Sequence, residues 1–88
     1  NNPEPIFYFK NVKSIKSEII NQRHVQNIFK NKSGRTIKSI SFDCVNSELG
    51  HYLLNFKKEF DLIACIVENN WNNKKEIELR AIDIILKT

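Results

Sequence analysis

Methionine is absent, glycine, proline and cysteine occur twice each, and tryptophan occurs once. So little Gly and Pro in 88 residues excludes collagen-like, linker-like and low-complexity chains. No run of about 18 apolar residues exists, which excludes a membrane-spanning helix. The opening residues Asn1-Asn2-Pro3-Glu4 are not a basic stretch leading into an apolar one, so no secretory leader is expected. The missing Met at position 1 leads to the expectation of a fragment or a processed product. Without a leader, Cys44 and Cys65 are expected to be reduced thiols in a cytoplasmic protein.

Catalytic and metal-binding patterns are missing as well. His24, Cys44, His51 and Cys65 contain no pair at the two-to-five-residue gap from which zinc sites are built. Cys65 reads as a small buried thiol in an apolar strand, and Cys44 as a loop thiol. His51 follows Cys44 but nothing in the sequence orients it as a base. Asp43, Asp61 and Asp83 are scattered at expected strand ends, and Gly34 and Gly50 are isolated, so there is no acid pair and no phosphate loop. No cofactor or metal is expected in this domain, and function is expected to be binding rather than catalysis.

What is present is enough for one small core. Hydrophobic residues make up 41% of the chain and include six Phe. A chain of this size buries about two-thirds of its unfolded surface, so it folds alone with a small margin. A monomer is expected. Twelve Asn and eleven Lys accompany a net charge of +4, which suits a polyanionic partner.

Periodicity divides the chain into five strands and one helix. Ile6 to Ile20 reads as a long strand bent near Asn11, with Ile15, Ser17 and Ile19 alternating against Ser14, Lys16 and Glu18. Asn21-Gln22-Arg23 is a turn. His24 to Lys30 follows, with Val25 and Phe29 on one face and His24, Gln26, Ile28 and Lys30 on the other. Asn31-Lys32-Ser33-Gly34 reads as a hairpin turn. Arg35 to Phe42 is the third strand, its facing ambiguous because Ile37 opposes Ile40 and Phe42. The spacing of Leu49, Leu53, Leu54 and Phe56 predicts a helix between 47 and 57, capped by Ser47. Leu62 to Val67 is an apolar strand covered on both sides. Asn69 to Asn73 is a turn, and a last strand carries Ile77, Leu79 and Ala81 alternating with Glu76, Glu78 and Arg80.

The fold class is therefore all-β with one short helix, in the order β-β-β-α-β-β of a five-stranded OB-fold barrel. Residues 1–5 are an extended lead-in held by Pro3 and Pro5, and 6–88 form the barrel domain. In that fold a ligand lies across the second and third strands, between the loop joining strands one and two and the loop joining four and five. Candidate nucleic-acid contacts are Arg23, Lys38, Lys74, Lys75 and Arg80 for phosphates, with His24 and Trp71 for bases or sugars. Trp71 has two readings: a base-stacking residue, or a plug packed on the barrel. Lys74 and Lys75 also read as turn lysines that blunt an edge. Phe7, Tyr8 and Phe9 suit core or interdomain packing better than base stacking. Ile28 on the outer face suggests cover by another domain.

These residues also carry a resemblance. Asn2-Pro3-Glu4-Pro5, Arg23-His24, Ile40-Ser41-Phe42, Asn69-x-Trp71-x-Asn73, Glu78-Leu79 and Asp83-Ile84 together resemble the C-terminal OB-fold domain of RecJ, the single-strand-specific DNA exonuclease. The chain departs from the family pattern at Asn1 and Asn73, where Gly is usual, and at Glu78, where Gln is usual. The resemblance implies a domain excised from a metal-dependent exonuclease that degrades single-stranded DNA from the 5′ end in recombination and repair. Its Mg or Mn would belong to DHH-type domains outside this chain. Implied partners are single-stranded DNA and the parent's catalytic domains, with no membrane. An RNA-binding OB domain of the anticodon-binding type and a purely structural or protein-docking domain are the alternatives.

Overall fold

The computed structural model describes residues 4–87; the lead-in reading falls mainly on residues 1–3, outside them. Five strands and one helix follow in the expected order: β1 Ile6–Ile20, β2 His24–Lys30, β3 Thr36–Ser41, α1 Glu48–Asn55, β4 Phe60–Trp71 and β5 Lys74–Leu86. The strands close into a barrel in the order β1-β2-β3-β5-β4, with β3 and β5 meeting in parallel at Ser39 and Leu79. This is the arrangement of an OB-like fold.

Closure depends on β1, which pairs with β4 through its first half and with β2 through its second. The strand turns between those partners at Asn11, whose φ of 59° lies in the left-handed region that Asn tolerates. The register with β4 slips between Phe9 and Val12. Asp61 on β4 holds the bend. Its Oδ1 accepts the Asn11 backbone N–H at 3.0 Å and its Oδ2 accepts the Tyr8 hydroxyl at 2.8 Å, and Lys87 Nζ stands 3.1 Å from Oδ1.

A second irregularity, between Ser14 and Lys16, corrects the simple alternation read along this strand. Ile15 sits in the bulge and is exposed, while Ser14 opposite Phe29 and Ser17 opposite Asn27 both face inward. One extra residue in a strand shifts every later side chain to the other face.

The interior holds Val12, Val25, Phe29, Phe60, Leu62, Ala64 and Leu79, closed at one end by Leu53 of α1. Ser47 caps α1, its Oγ accepting the Gly50 N–H at 3.0 Å. A Cβ at Gly50 would overlap the Cys44 carbonyl, so glycine is required where the helix start meets the preceding loop. The other helix end is tied into the barrel. Asn27, fully buried on β2, donates to Leu53 O and to Ser14 Oγ, both at 2.8 Å. Ser17 Oγ and Lys57 Nζ each donate to Leu54 O at 3.2 Å. Carbonyls that a helix leaves unpaired at its C-terminus are thus satisfied by the strands beneath and by Lys57.

The structure resolves the facing of β3 against its hydrophobicity. Ile37, Ser39 and Ser41 point inward, whereas Ile40 and Phe42 lie outside. The cysteine reading is reversed. Cys44 is the buried thiol, donating to Ser41 O at 3.3 Å, and Cys65 is half-buried. Burial pushes the Cys44 pKa up, which makes it a poor nucleophile. Strand β4 also runs past the expected turn to Trp71, leaving only Asn72 and Asn73, both at positive φ, as a two-residue hairpin loop.

Replacing Asn27 removes the donor to both Ser14 and Leu53. Asn27→Ala is expected to cost roughly 1–3 kcal/mol in denaturant unfolding, because a buried carbonyl loses its partner. Asn27→Asp should cost more at neutral pH, since a carboxylate cannot donate to Leu53 O.

Asp61 links stability to acidity. The Asn11 N–H, then the Tyr8 hydroxyl, and Lys87 hold its pKa at about 2 against the opposing effect of burial. The folded value lies below the unfolded one, so the carboxylate stabilises the fold fully above about pH 4. That contribution is lost as pH falls through about 2. Melting temperatures of wild type and Asp61→Asn are expected to differ above pH 4 and to converge toward pH 2.

Candidate nucleic-acid interface

Directly paired residues on neighbouring strands share a face, so the registers map the outer surface of β1, β2 and β3 row by row. Lys13, Lys30 and Thr36 form one row; Lys16, Ile28 and Lys38 the next; Glu18, Gln26 and Ile40 the third; and Ile20 and His24 the last. Phe42 follows β3 beyond that row. The face is graded, cationic toward the β2–β3 hairpin and aromatic toward the loop between β1 and β2.

At the aromatic end, loop and strand ends are locked together. The Arg23 carbonyl accepts the backbone N–H groups of Cys44 and Val45 at 3.0 and 3.2 Å. Asp43, at φ 52°, donates its N–H to His24 Nδ1 at 2.8 Å, which places the proton of the neutral imidazole on Nε2. The His24 ring meets Phe42 edge-on with centroids 5.0 Å apart. The Arg80 guanidinium lies 4.8 Å from the centroid of the Phe42 ring. Phe42 remains 54% exposed between these neighbours. An aromatic held in place yet open to solvent can stack on a planar ligand.

The predicted cations here are partly neutralised. Arg23 pairs with Asp43 at 2.6 Å, a solvent-exposed contact that adds little stability. Glu78, only 4% exposed, lies between Arg80 at 2.6 Å and Lys38 at 3.6 Å. Burial opposes its ionisation. Hydrogen bonds from Arg80 and Asn69 and the charges of Arg80 and Lys38 outweigh that and lower its pKa. Lys38 also lines a groove with Glu68, Asn69, Asn70 and Glu76, so acids enter the path toward the β4–β5 hairpin.

Of the seven residues singled out from sequence, the fold brings Arg23, His24, Lys38 and Arg80 onto one face with Phe42, Asp43 and Glu78. Lys74 and Lys75 are exposed where β5 begins, paired with Trp71 and Asn70, and are not in that cluster. The stacking or plugging role of Trp71 concerns a side chain outside the described residues. Phe9 packs against the core and Tyr8 is engaged by Asp61, so neither stands on the β2–β3 face. Ile28 lies outside as expected, half-buried between Lys16 and Lys38, whose aliphatic stems suit such a neighbour.

Sequence reasoning missed three contributors. Phe42 ends the third strand but was not separated from core phenylalanines. Lys13 and Lys16 stand three apart, which strict alternation assigns to opposite faces; the bulge puts both outside. The only local signal was that apolar Ile15 between them breaks the pattern.

Among the described residues, no three His, Cys, Asp or Glu side chains come together as metal ligands. No helix among them is long and apolar enough to cross a membrane. A family model described as the RecJ OB domain matches residues 1–83 of this chain. No curated protein and no solved structure matches it.

Proposed function

The chain belongs to the RecJ OB domain family, and on that premise we propose that it binds single-stranded DNA for a RecJ-like exonuclease. That enzyme would degrade DNA from the 5′ end in recombination and repair. In this reading the nuclease Mg or Mn is held by other domains of the parent chain. This domain's part is to hold the strand in the cytoplasm, where the parent works.

The observation that carries this reading is the exposed Phe42 ring on the outer face, flanked by His24 and Arg80. Single-strand binding by OB barrels combines such stacking surfaces with cations that follow the backbone. Stacking tolerates any base, and Arg23, Lys38 and Arg80 contribute charge without base identity. The catalytic domains of the parent are the second partner in this reading. Exposed apolar side chains on β1 and β5, such as Ile6 and Ile82, are of the kind that such a partner domain covers.

The test is fluorescence anisotropy of a labelled dT15 strand at low salt, with duplex DNA and RNA of matched length as competitors. Phe42→Ala is expected to weaken binding by roughly 1–3 kcal/mol, the loss of one stacked base, with little change in melting temperature. Preference for RNA would favour the anticodon-type reading. No binding to any strand at low salt would leave protein docking as the function.

Glu78→Gln gives an opposite expectation. Gln keeps a hydrogen-bond acceptor for Arg80 but releases the charge that holds Arg80 and Lys38. Affinity for dT15 should rise. The slope of log affinity against log salt should steepen by about 0.7 for each phosphate newly contacted. An unchanged slope would mean that neither cation reaches the backbone.

A further inference from the structure

Lys13 and Lys30 are direct cross-strand partners. Like charges placed so repel each other and weaken the sheet. Lys32 follows in the β2–β3 hairpin, and the three lysines line one hollow with Asn11, Ile15 and Asn31. Glu59 also lines it, yet forms no ion pair with them. Among the described residues the ion pairs of Lys and Arg engage Arg23, Lys38, Arg80 and Lys87 instead. The bend at Asn11 and the bulge at Ile15 both lie on the wall of this hollow. Irregular backbone and repulsion that one unpaired acid relieves only in part are features that a fold tolerates where a ligand supplies further negative charge.

Resting on the reading above that the domain binds single-stranded DNA, we propose that Lys13, Lys30 and Lys32 form a separate backbone-phosphate station at the β2–β3 hairpin end of the face. A phosphodiester seated there converts the repulsion of three ammonium groups into attraction. The Asn11 and Asn31 amides can donate to its free oxygens, and exposed Ile15 offers apolar contact to a sugar or base. Lys30 is six residues along β2 from His24, about 20 Å at roughly 3.3 Å per residue. A strand that reaches both the Phe42 platform and this station therefore runs along β2. It passes the row of Lys16, Ile28 and Lys38, and it leaves the acidic groove by Glu68 and Glu76 unused. The station is the part of the surface that senses salt most strongly, because among the described residues its cations form no ion pair to compete with phosphate.

The test combines binding with stability. In the triple variant Lys13→Gln, Lys30→Gln and Lys32→Gln, the dT15 salt slope is expected to become shallower by about 2, for three lost phosphate contacts. Affinity at 50 mM salt should fall at least about tenfold, while the melting temperature holds or rises as repulsion is removed. Lys13→Glu, which places opposite charges on the cross-strand pair, should raise the melting temperature and still weaken binding. A triple variant that binds dT15 with wild-type affinity and slope, beside a weakened Phe42→Ala, overturns the station and leaves the platform standing. A wild-type domain that binds no strand at low salt overturns both.

Discussion

A single strand that must pair with two partners in succession governs this structure. β1 leaves β4 and joins β2 within fifteen residues, and no regular strand can make that turn. The chain meets the demand with a left-handed Asn11 and a bulge at Ile15. Asp61 holds the first irregularity by accepting the backbone N–H freed at the bend. The same irregularities determine the outer surface. By pushing one residue out of step, the bulge puts Lys13 and Lys16 on one side and Ser14 and Ser17 on the other. Barrel closure and the cationic rim therefore share one backbone cause.

The interior is more polar than a small barrel needs. Ser14, Asn27, Ser39 and Ser41 are buried beside Val25, Phe29 and Leu79. Asn27 fastens the plug helix to the barrel through Leu53 O. Its own Oδ1, with Ser39 Oγ and Ser41 Oγ, finds no partner among the described residues, and such groups weaken a core. Meanwhile Ile40 and Phe42 of the same chain segment stand outside. Apart from inward Ile37, hydrophobicity is inverted along this segment, with Ser39 and Ser41 in and Ile40 and Phe42 out. An inversion of this kind is expected where an outer face has to meet a ligand rather than water alone.

Charge on that face is arranged in two regimes. Around Phe42 every predicted cation has an internal acid, with Asp43 for Arg23 and the buried Glu78 for Arg80 and Lys38. These pairs orient the cations, and Arg80 in particular is held beside the aromatic ring. They also reduce the pull on a phosphate. Toward the β2–β3 hairpin, Lys13, Lys30 and Lys32 have no such partner among the described residues. On the proposed reading, a polyanion would be attracted chiefly at the hairpin end and offered a stacking surface at the other.

The order of elements was legible in the sequence because it rests on local periodicity. Alternation marked His24–Lys30, helical spacing after Ser47 marked α1, and the Asn-rich runs marked the turns, so the OB assignment followed. That Arg23, His24, Lys38 and Arg80 share one face was legible too, since the fold class assigns strands and loops to faces. Facing and partnership were not legible. Whether Ile37 or Ile40 points inward depends on what lies across the barrel, and the sequence of β3 is nearly balanced between the two. Cys44 and Cys65 exchanged their expected burial because loop residue Cys44 tucks under α1, a contact set by Gly50. The neutralisation of Arg80 by Glu78 concerns neighbours on one strand, but Lys38 joins them only through the parallel contact of β3 with β5. Composition and period determined which elements form; closure of the barrel alone decided which side chains meet, because register across strands is a property of the whole ring.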